Sequence, residues 1–418
     1  MPKSLRTLLL IWLAWCFIMI GYQFYIKARF NLVRPDYSLE WTPSETKANS
    51  QANMPYLLEP FLNNHVAWDS EYYISIAVGG YHDPAMRALA PDYSWDDPRV
   101  ELQKDQPTWT SMNYAFFPMY PWIMRLFTFP IHLTGLNWIA SATLAGVLVS
   151  MLGTLGAMVA LYDLCRDDLG EPGGIRAAYY LLIYPAGMFL AEIYTEGLFL
   201  GLSFGAIALA RRQKWLWAGL LVALAVWTRA AGGLLLIPLA WYWWKGGNLD
   251  KLLHHFSWKE AGKILLVGVP VFSYLLFNAL MGADFKFVED HFFGKGLLLV
   301  RESMTAWGAA FQRMISNNLM ARAYYLVEFT AILFAFAACV LMWKRDKGLT
   351  LYSLATIIFS LTSGGAQGMH RYAMAAPVLF LVTARWGKSE AFDRAWTIAN
   401  VLLMGVFAIL FSFDFWAG

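Results

Sequence analysis

Apolar residues fall in runs separated by short polar breaks, and a helix that crosses hydrocarbon needs ~20 mostly apolar residues. Read this way, the chain has about eleven crossings, at 7–26, 136–162, 176–191, 195–210, 214–229, 231–244, 263–281, 321–343, 349–363, 371–385 and 395–415. Several are short and are expected to be tilted or partly embedded. The first run follows Lys3 and Arg6 and has no small-residue cleavage site after it, so it reads as a retained signal-anchor. Residues 113–133 carry Pro118, Pro121 and Pro130 with flanking aromatics, which predicts an interfacial helix.

Short loops rich in Lys and Arg mark the cytoplasmic side. Basic clusters occur at Lys3/Arg6, Arg211-Arg212-Gln213-Lys214, Lys245 to Lys263, Lys344-Arg345-Asp346-Lys347 and Arg385 to Arg394. With these spans, all fall on the N-terminal side. The opposite side receives 28–135, the turns near 191–195 and 229–232, loop 282–320 and 364–370. The expectation is one all-α polytopic membrane domain over 1–418, with an extracytoplasmic loop 28–135 carrying short amphipathic helices and a helical bundle 136–418.

Composition sharpens this. The 418 residues are 58% hydrophobic and 15% charged, against roughly 45–50% and about 25% in soluble domains, which excludes a disordered chain, a coiled coil and an ordinary soluble enzyme. The net charge of +3 comes without a basic tail, so nucleic acid is not a partner. Three cysteines, two of them in apolar runs, do not suggest a disulfide framework.

The sharpest local signal is His65-Val66-Ala67-Trp68-Asp69-Ser70-Glu71-Tyr72-Tyr73, continuing to Gly79-Gly80-Tyr81. Helical spacing of Tyr73, Ile76 and Ala77 predicts a short amphipathic helix over 70–78, ended by the glycines. Asp69 is then either its N-cap or, with Glu71, an acidic pair that takes a proton from an attacking hydroxyl. Glu192 and Glu196, four apart in apolar sequence, mark a site or the cap of a helix hairpin at the water boundary. Arg229 lies between two apolar runs and either snorkels or meets an anion. Gly364-Gly365-Ala366-Gln367-Gly368 before His370-Arg371-Tyr372 favours anion capture at a helix start, with a surface loop as the alternative. All these groups map to the outer face. There is no phosphate loop, Rossmann fingerprint or His-Glu-x-x-His, and His254-His255 reads as a solvated turn.

Trp68-Asp69-Ser70, the stretch Ile76 to Tyr81, Ala115-Phe116-Phe117-Pro118-Met119-Tyr120-Pro121, Tyr184-Pro185 to Glu196, and Thr228-Arg229 together resemble the PIG-V-type mannosyltransferases, with prokaryotic relatives, in the GT-C class of glycosyltransferases. His370-Arg371-Tyr372 is similar to a C-terminal motif of such enzymes. The resemblance implies a polyprenyl-phosphate sugar donor of the dolichyl-phosphate-mannose kind, an acidic motif in the first outer loop, and inversion at the anomeric carbon.

On this reading Asp69 and Glu71 are the catalytic candidates. His370, Arg371, Arg229, Glu192, Glu196 and His65 are candidates for donor phosphate and substrate. The acceptor is a glycolipid or glycan. No cofactor and no metal site are expected, with a divalent metal left open. No Asn-x-Ser/Thr sequon occurs on the outer face, which favours a prokaryotic plasma membrane over the endoplasmic reticulum. The rivals are a glycosyltransferase using another polyprenyl-phosphate sugar, and a secondary transporter, which would need inverted repeats that the sequence does not show.

Overall fold

The computed structural model describes residues 2–32, 35–45, 54–248 and 258–418. His254-His255 and much of the Lys245 to Lys263 cluster lie outside them. The chain is an all-α integral membrane protein. Among the described residues, five helices are long and apolar enough to cross a membrane: Lys3–Arg29 (α1), Trp138–Leu182, Val269–Phe293, Leu319–Met342 and Glu390–Ser412. Three shorter apolar helices, Trp215–Val226, Lys347–Leu361 and Pro377–Trp386, fill the bundle.

The expected helix after Asp69 runs over Ser70–Val78 (α2), with Gly79 as C-cap and Gly80 left-handed at φ 85°. It is not amphipathic in the sense expected: every residue from Ser70 to Ala77 is buried. The interfacial helix is Met119–His132 (α3), with Tyr120 and Met124 inward and Trp122, Leu126 and Phe129 exposed.

Trp138–Leu182 (α4) breaks at Gly170, whose φ of 71° and ψ of 177° are non-helical, just before Pro172. The break falls in the polar stretch expected to separate two crossings. The second crossing, 176–191, is not one helix. The chain leaves α4 at Leu182 and makes a 3₁₀ turn over Pro185–Leu190. Pro185 lacks an amide for a continuing helix. Gly187 is packed so closely that a Cβ would lie 2.5 Å from the Leu182 carbonyl.

Glu196–Arg211 (α5) lies against α4 at backbone contact. A Cβ on Gly197 would meet the Ser150 carbonyl at 2.2 Å, and one on Gly201 the Gly153 carbonyl at 2.4 Å. Small residues allow such approach between membrane helices. Ser150 Oγ donates to the Tyr194 carbonyl (2.9 Å) and Thr154 Oγ1 to the Leu190 carbonyl (3.1 Å), which fixes the turn that carries Glu192 to Glu196.

The first loop also holds a small sheet, absent from the sequence expectation. Arg87–Leu89 (β1) pairs antiparallel with Val100–Leu102 (β2) and Thr110–Ser111 (β3), in the order β2-β1-β3. Strands of two or three residues are too short to leave a period-2 pattern.

The two ends of the bundle differ in charge. At one end Arg212 meets Asp163 (3.0 Å) and Asp167 (3.1 Å), Arg345 meets Asp168 (3.8 Å), and Arg385 also pairs with Asp168. Arg211 is at that end of α5 and Glu196 at the other, ~22 Å away at 1.5 Å per residue.

Candidate active site

At the Glu196 end the helices enclose a cavity of about 1200 Å³. Of the sequence candidates, Asp69, Glu71, Glu196, Arg229 and Arg371 line it.

Asp69 sits on a fixed backbone. Its N–H donates to Tyr194 Oη (3.3 Å), which donates to the Ala67 carbonyl (3.3 Å), while Ser70 Oγ donates to the Ile193 carbonyl (3.3 Å). The 66–70 loop is thereby zipped to the 192–195 turn. Trp68 is left-handed, φ 54°. The N-cap reading does not hold. Asp69 already has helical φ/ψ, and its carboxylate makes no cap hydrogen bond, because a capping side chain normally needs an extended backbone to reach the N–H groups. Glu71 instead faces Arg87 of β1 at 3.2 Å.

Three cations line the cavity with Asp69. Arg229 Nη1 donates to Glu196 Oε1 (2.5 Å) and Thr195 Oγ1 (3.2 Å). Arg371 Nε is 3.4 Å from the same Glu196 oxygen, and Arg371 Nη1 is 3.7 Å from Asp69 Oδ2. The Arg371 guanidinium lies over the rings of Phe189 and Tyr194, 5.1 and 5.2 Å from their centroids, which aims it without occupying its donors. Lys295 Nζ (3.3 Å) and Arg371 Nη2 (3.1 Å) both donate to Tyr372 Oη. Burial pushes the Tyr372 phenol up, but Lys295, Arg371 and Arg229 more than offset it and bring it down to about 8. The cavity is also lined by Glu71, Glu289, Asp290 and Asp414. Where Arg229, Lys295 and Arg371 gather around Tyr372, they offer an anion charge-assisted donors.

His65, Glu192 and His370 are not brought to the cavity. His65 Nδ1 is 3.0 Å from Glu192 Oε2, and Gln23 Nε2 donates to Glu192 Oε1 (2.7 Å). The expected i, i+4 pair is therefore split: residues 191–195 form a bend, so Glu192 and Glu196 do not share a helix face.

Anion capture by the amides near His370 is also overturned, because a resident carboxylate holds them. Gly368 N–H donates to Glu328 Oε1 (2.8 Å) and His370 N–H to Glu328 Oε2 (3.1 Å). His370 Nδ1 is 3.0 Å from Glu328, and Nε2 is 2.9 Å from the Ala417 carbonyl. Both ring nitrogens face acceptors, so both bonds form only when both nitrogens carry protons.

Sequence reasoning missed Lys295, Arg87, and the tryptophans 41 and 416 that line the cavity. Lys295 sits between Gly294, left-handed at φ 60°, and Gly296. Those glycines were the one available signal of a shaped turn. Among the described residues, no three His, Cys, Asp or Glu side chains come together as a metal site.

Residues 85–242 match the family model described as Mannosyltransferase (PIG-V). The GPI alpha-1,6-mannosyltransferase 2 of Cricetulus griseus is 31% identical over 211 residues, half of this chain and 37% of that protein. The Homo sapiens protein of the same name is 29% identical over 210 residues, with the same coverage of both chains. The chain thus matches little more than a third of the length of these relatives. Among solved structures, ArnT from Cupriavidus metallidurans bound to undecaprenyl phosphate overlays with a TM-score of 0.45 at 12% identity, over 84% of this chain and 72% of that one. Glu196 and Arg229 lie inside the matched family segment; Asp69, Lys295 and Arg371 lie outside it. Over residues 85–242 the chain is thus similar to the PIG-V mannosyltransferases.

Proposed function

We propose that the chain is an inverting glycosyltransferase that moves mannose from a polyprenyl-phosphate donor to a hydroxyl of a glycolipid or glycan, on the extracytoplasmic face. The observation that carries this reading is Asp69 beside Arg371 in one cavity that Arg229 and Lys295 also line. The acceptor oxygen attacks C1 of the sugar while its proton passes to the Asp69 carboxylate. The bond between C1 and the phosphate oxygen breaks, and polyprenyl phosphate leaves with the electron pair. A single displacement inverts C1. Arg371, Arg229 and Lys295 offset the charge that develops on the leaving phosphate, a stabilisation that is often the largest in catalysis.

Glu196 keeps both guanidiniums aimed and cancels part of their charge, so that product phosphate can leave. Tyr274, Phe285, Leu299 and Phe359 form an apolar wall of the cavity. It continues into Val269–Val288, which exposes Phe272, Leu276 and Leu280, a surface suited to a polyprenyl chain. The outer-face assignment rests on the basic loops gathering at the opposite end.

The test is purified protein in nanodiscs with polyprenyl-phosphate mannose and a glycolipid pool. Transfer of mannose to lipid, with GDP-mannose unused, is expected. Transfer from GDP-mannose, or none from any polyprenyl-phosphate hexose, would overturn the reading.

A further inference from the structure

Three tryptophans from segments far apart in the chain meet at one edge of the cavity. Trp68 and Trp41 have ring centroids 5.5 Å apart, Trp41 and Trp416 4.8 Å, and Trp68 and Trp416 5.1 Å, each pair edge to face. All three line the cavity. Trp68 precedes Asp69 directly, so the cluster adjoins the carboxylate.

Two features separate this cluster from ordinary packing. First, it is held in strained backbone: Trp68 has φ 54° and Asp414 φ 59°. Left-handed conformations are uncommon for non-glycine residues and an outlier for a bulky one, and such strain gathers at functional positions. Second, the cluster is braced from behind. Asp36 accepts from the Ser38 N–H (2.8 Å) and the Trp416 N–H (2.8 Å), Glu40 pairs with Arg313, and the Ala417 carbonyl bonds His370. Yet Trp41 remains 38% exposed. A rigid aromatic surface left partly open beside a carboxylate is suited to a ligand with an apolar face and a polar edge.

We propose that Trp41, Trp68 and Trp416 form the acceptor subsite and take the apolar C–H face of a pyranose ring, presenting one ring hydroxyl to Asp69. The assignment rests on the proposed transfer reaction for its role. The chemistry of its ligand rests on the cluster alone. Asp69 thus has an aromatic neighbour in Trp68 and a cationic one in Arg371, 3.7 Å from its Oδ2.

The test is saturation-transfer NMR on the full chain in nanodiscs. The probes are octyl α-mannoside, octyl β-glucoside and octanol, with undecaprenyl phosphate binding measured in parallel. Ring C–H protons of the glycosides should show the strongest saturation, and octanol should show no site-specific signal. Trp41→Ala should weaken the ring signal at least about threefold with undecaprenyl phosphate affinity unchanged, and Trp41→Phe should recover much of it. If Trp41→Ala does not fold, Trp416→Phe and Trp41→Phe together should still lower the ring signal. Equal ring saturation in the variants and the wild type, or none in the wild type, would overturn the subsite. Loss of undecaprenyl phosphate binding by the wild type, with ring saturation intact, would count against the donor reading and leave the subsite standing.

Discussion

Two kinds of carboxylate occupy this fold. Glu192 and Glu328 are each closed: one is held by His65 and Gln23, the other by His370 and two backbone amides, and neither reaches the cavity. Asp69 and Glu196 are open, facing arginines across a space large enough for a ligand. In sequence the four look alike, as acids in largely apolar and aromatic surroundings. What differs is coordination. The closed pairs spend their hydrogen bonds on the protein and hold segments together. The open ones leave donors and charge for something else to use.

The largest expected effect breaks a closed pair. Glu328→Ala leaves a buried imidazole and two amides without their partner. Removing one member of such a pair typically costs ~3–5 kcal/mol. Thermal unfolding in detergent should show this as a large drop in Tm, while the folded fraction keeps its donor affinity. A variant with wild-type Tm and lost donor binding would erase the distinction between the two classes.

Arg371→Ala should show the reverse. It removes a charge-assisted contact worth ~1.5–3 kcal/mol, so donor affinity or rate should fall by roughly one to two decades. Arg371→Lys should restore part of it, since Lys keeps the charge but not the planar fork. Wild-type donor titration and turnover in the Ala variant would remove Arg371 from the site.

A smaller effect follows from Tyr372. Its phenol is depressed to about 8 by three cations despite burial, against roughly 10 when unfolded. The phenolate's contribution to stability is therefore complete above about 10 and lost as pH falls through about 8. Donor affinity runs the other way. Above about 8 the phenolate cancels positive charge that a donor phosphate would use, so affinity should decline as pH rises through 8. In Tyr372→Phe this decline should vanish, as a binding titration from pH 6.5 to 9.5 would show. Identical profiles would place the ionisation elsewhere.

The part of the site legible in sequence was the part encoded locally. Asp69 announced itself by standing before a helix that the glycines at 79 and 80 end, and Arg229 by interrupting apolar sequence. The helical class followed from hydropathy alone. The division into open and closed groups was not legible, because it depends on partners 42 to 127 residues away, such as Glu328 for His370 and Glu192 for His65. Residues 183–190 read as part of a span since they are apolar, and only the close packing at Gly187 shows why they are not helical throughout. The tryptophan cluster joins positions 41, 68 and 416, a meeting that periodicity cannot report.

The central claim is that Asp69 is the open carboxylate that takes the proton, and Asp69→Asn tests it most directly. Asparagine matches the shape and leaves the backbone bond to Tyr194 available, and no cap bond is at stake. The Asn variant should stay within about 0.5 kcal/mol of wild-type stability, as expected at a partly exposed side chain with no cap bond. It should bind undecaprenyl phosphate normally and lose ~10²–10⁴-fold in mannose transfer. Glu71→Gln, measured beside it, should lose far less. Full transfer by Asp69→Asn, or an inactive Glu71→Gln beside an active Asp69→Asn, would contradict the account.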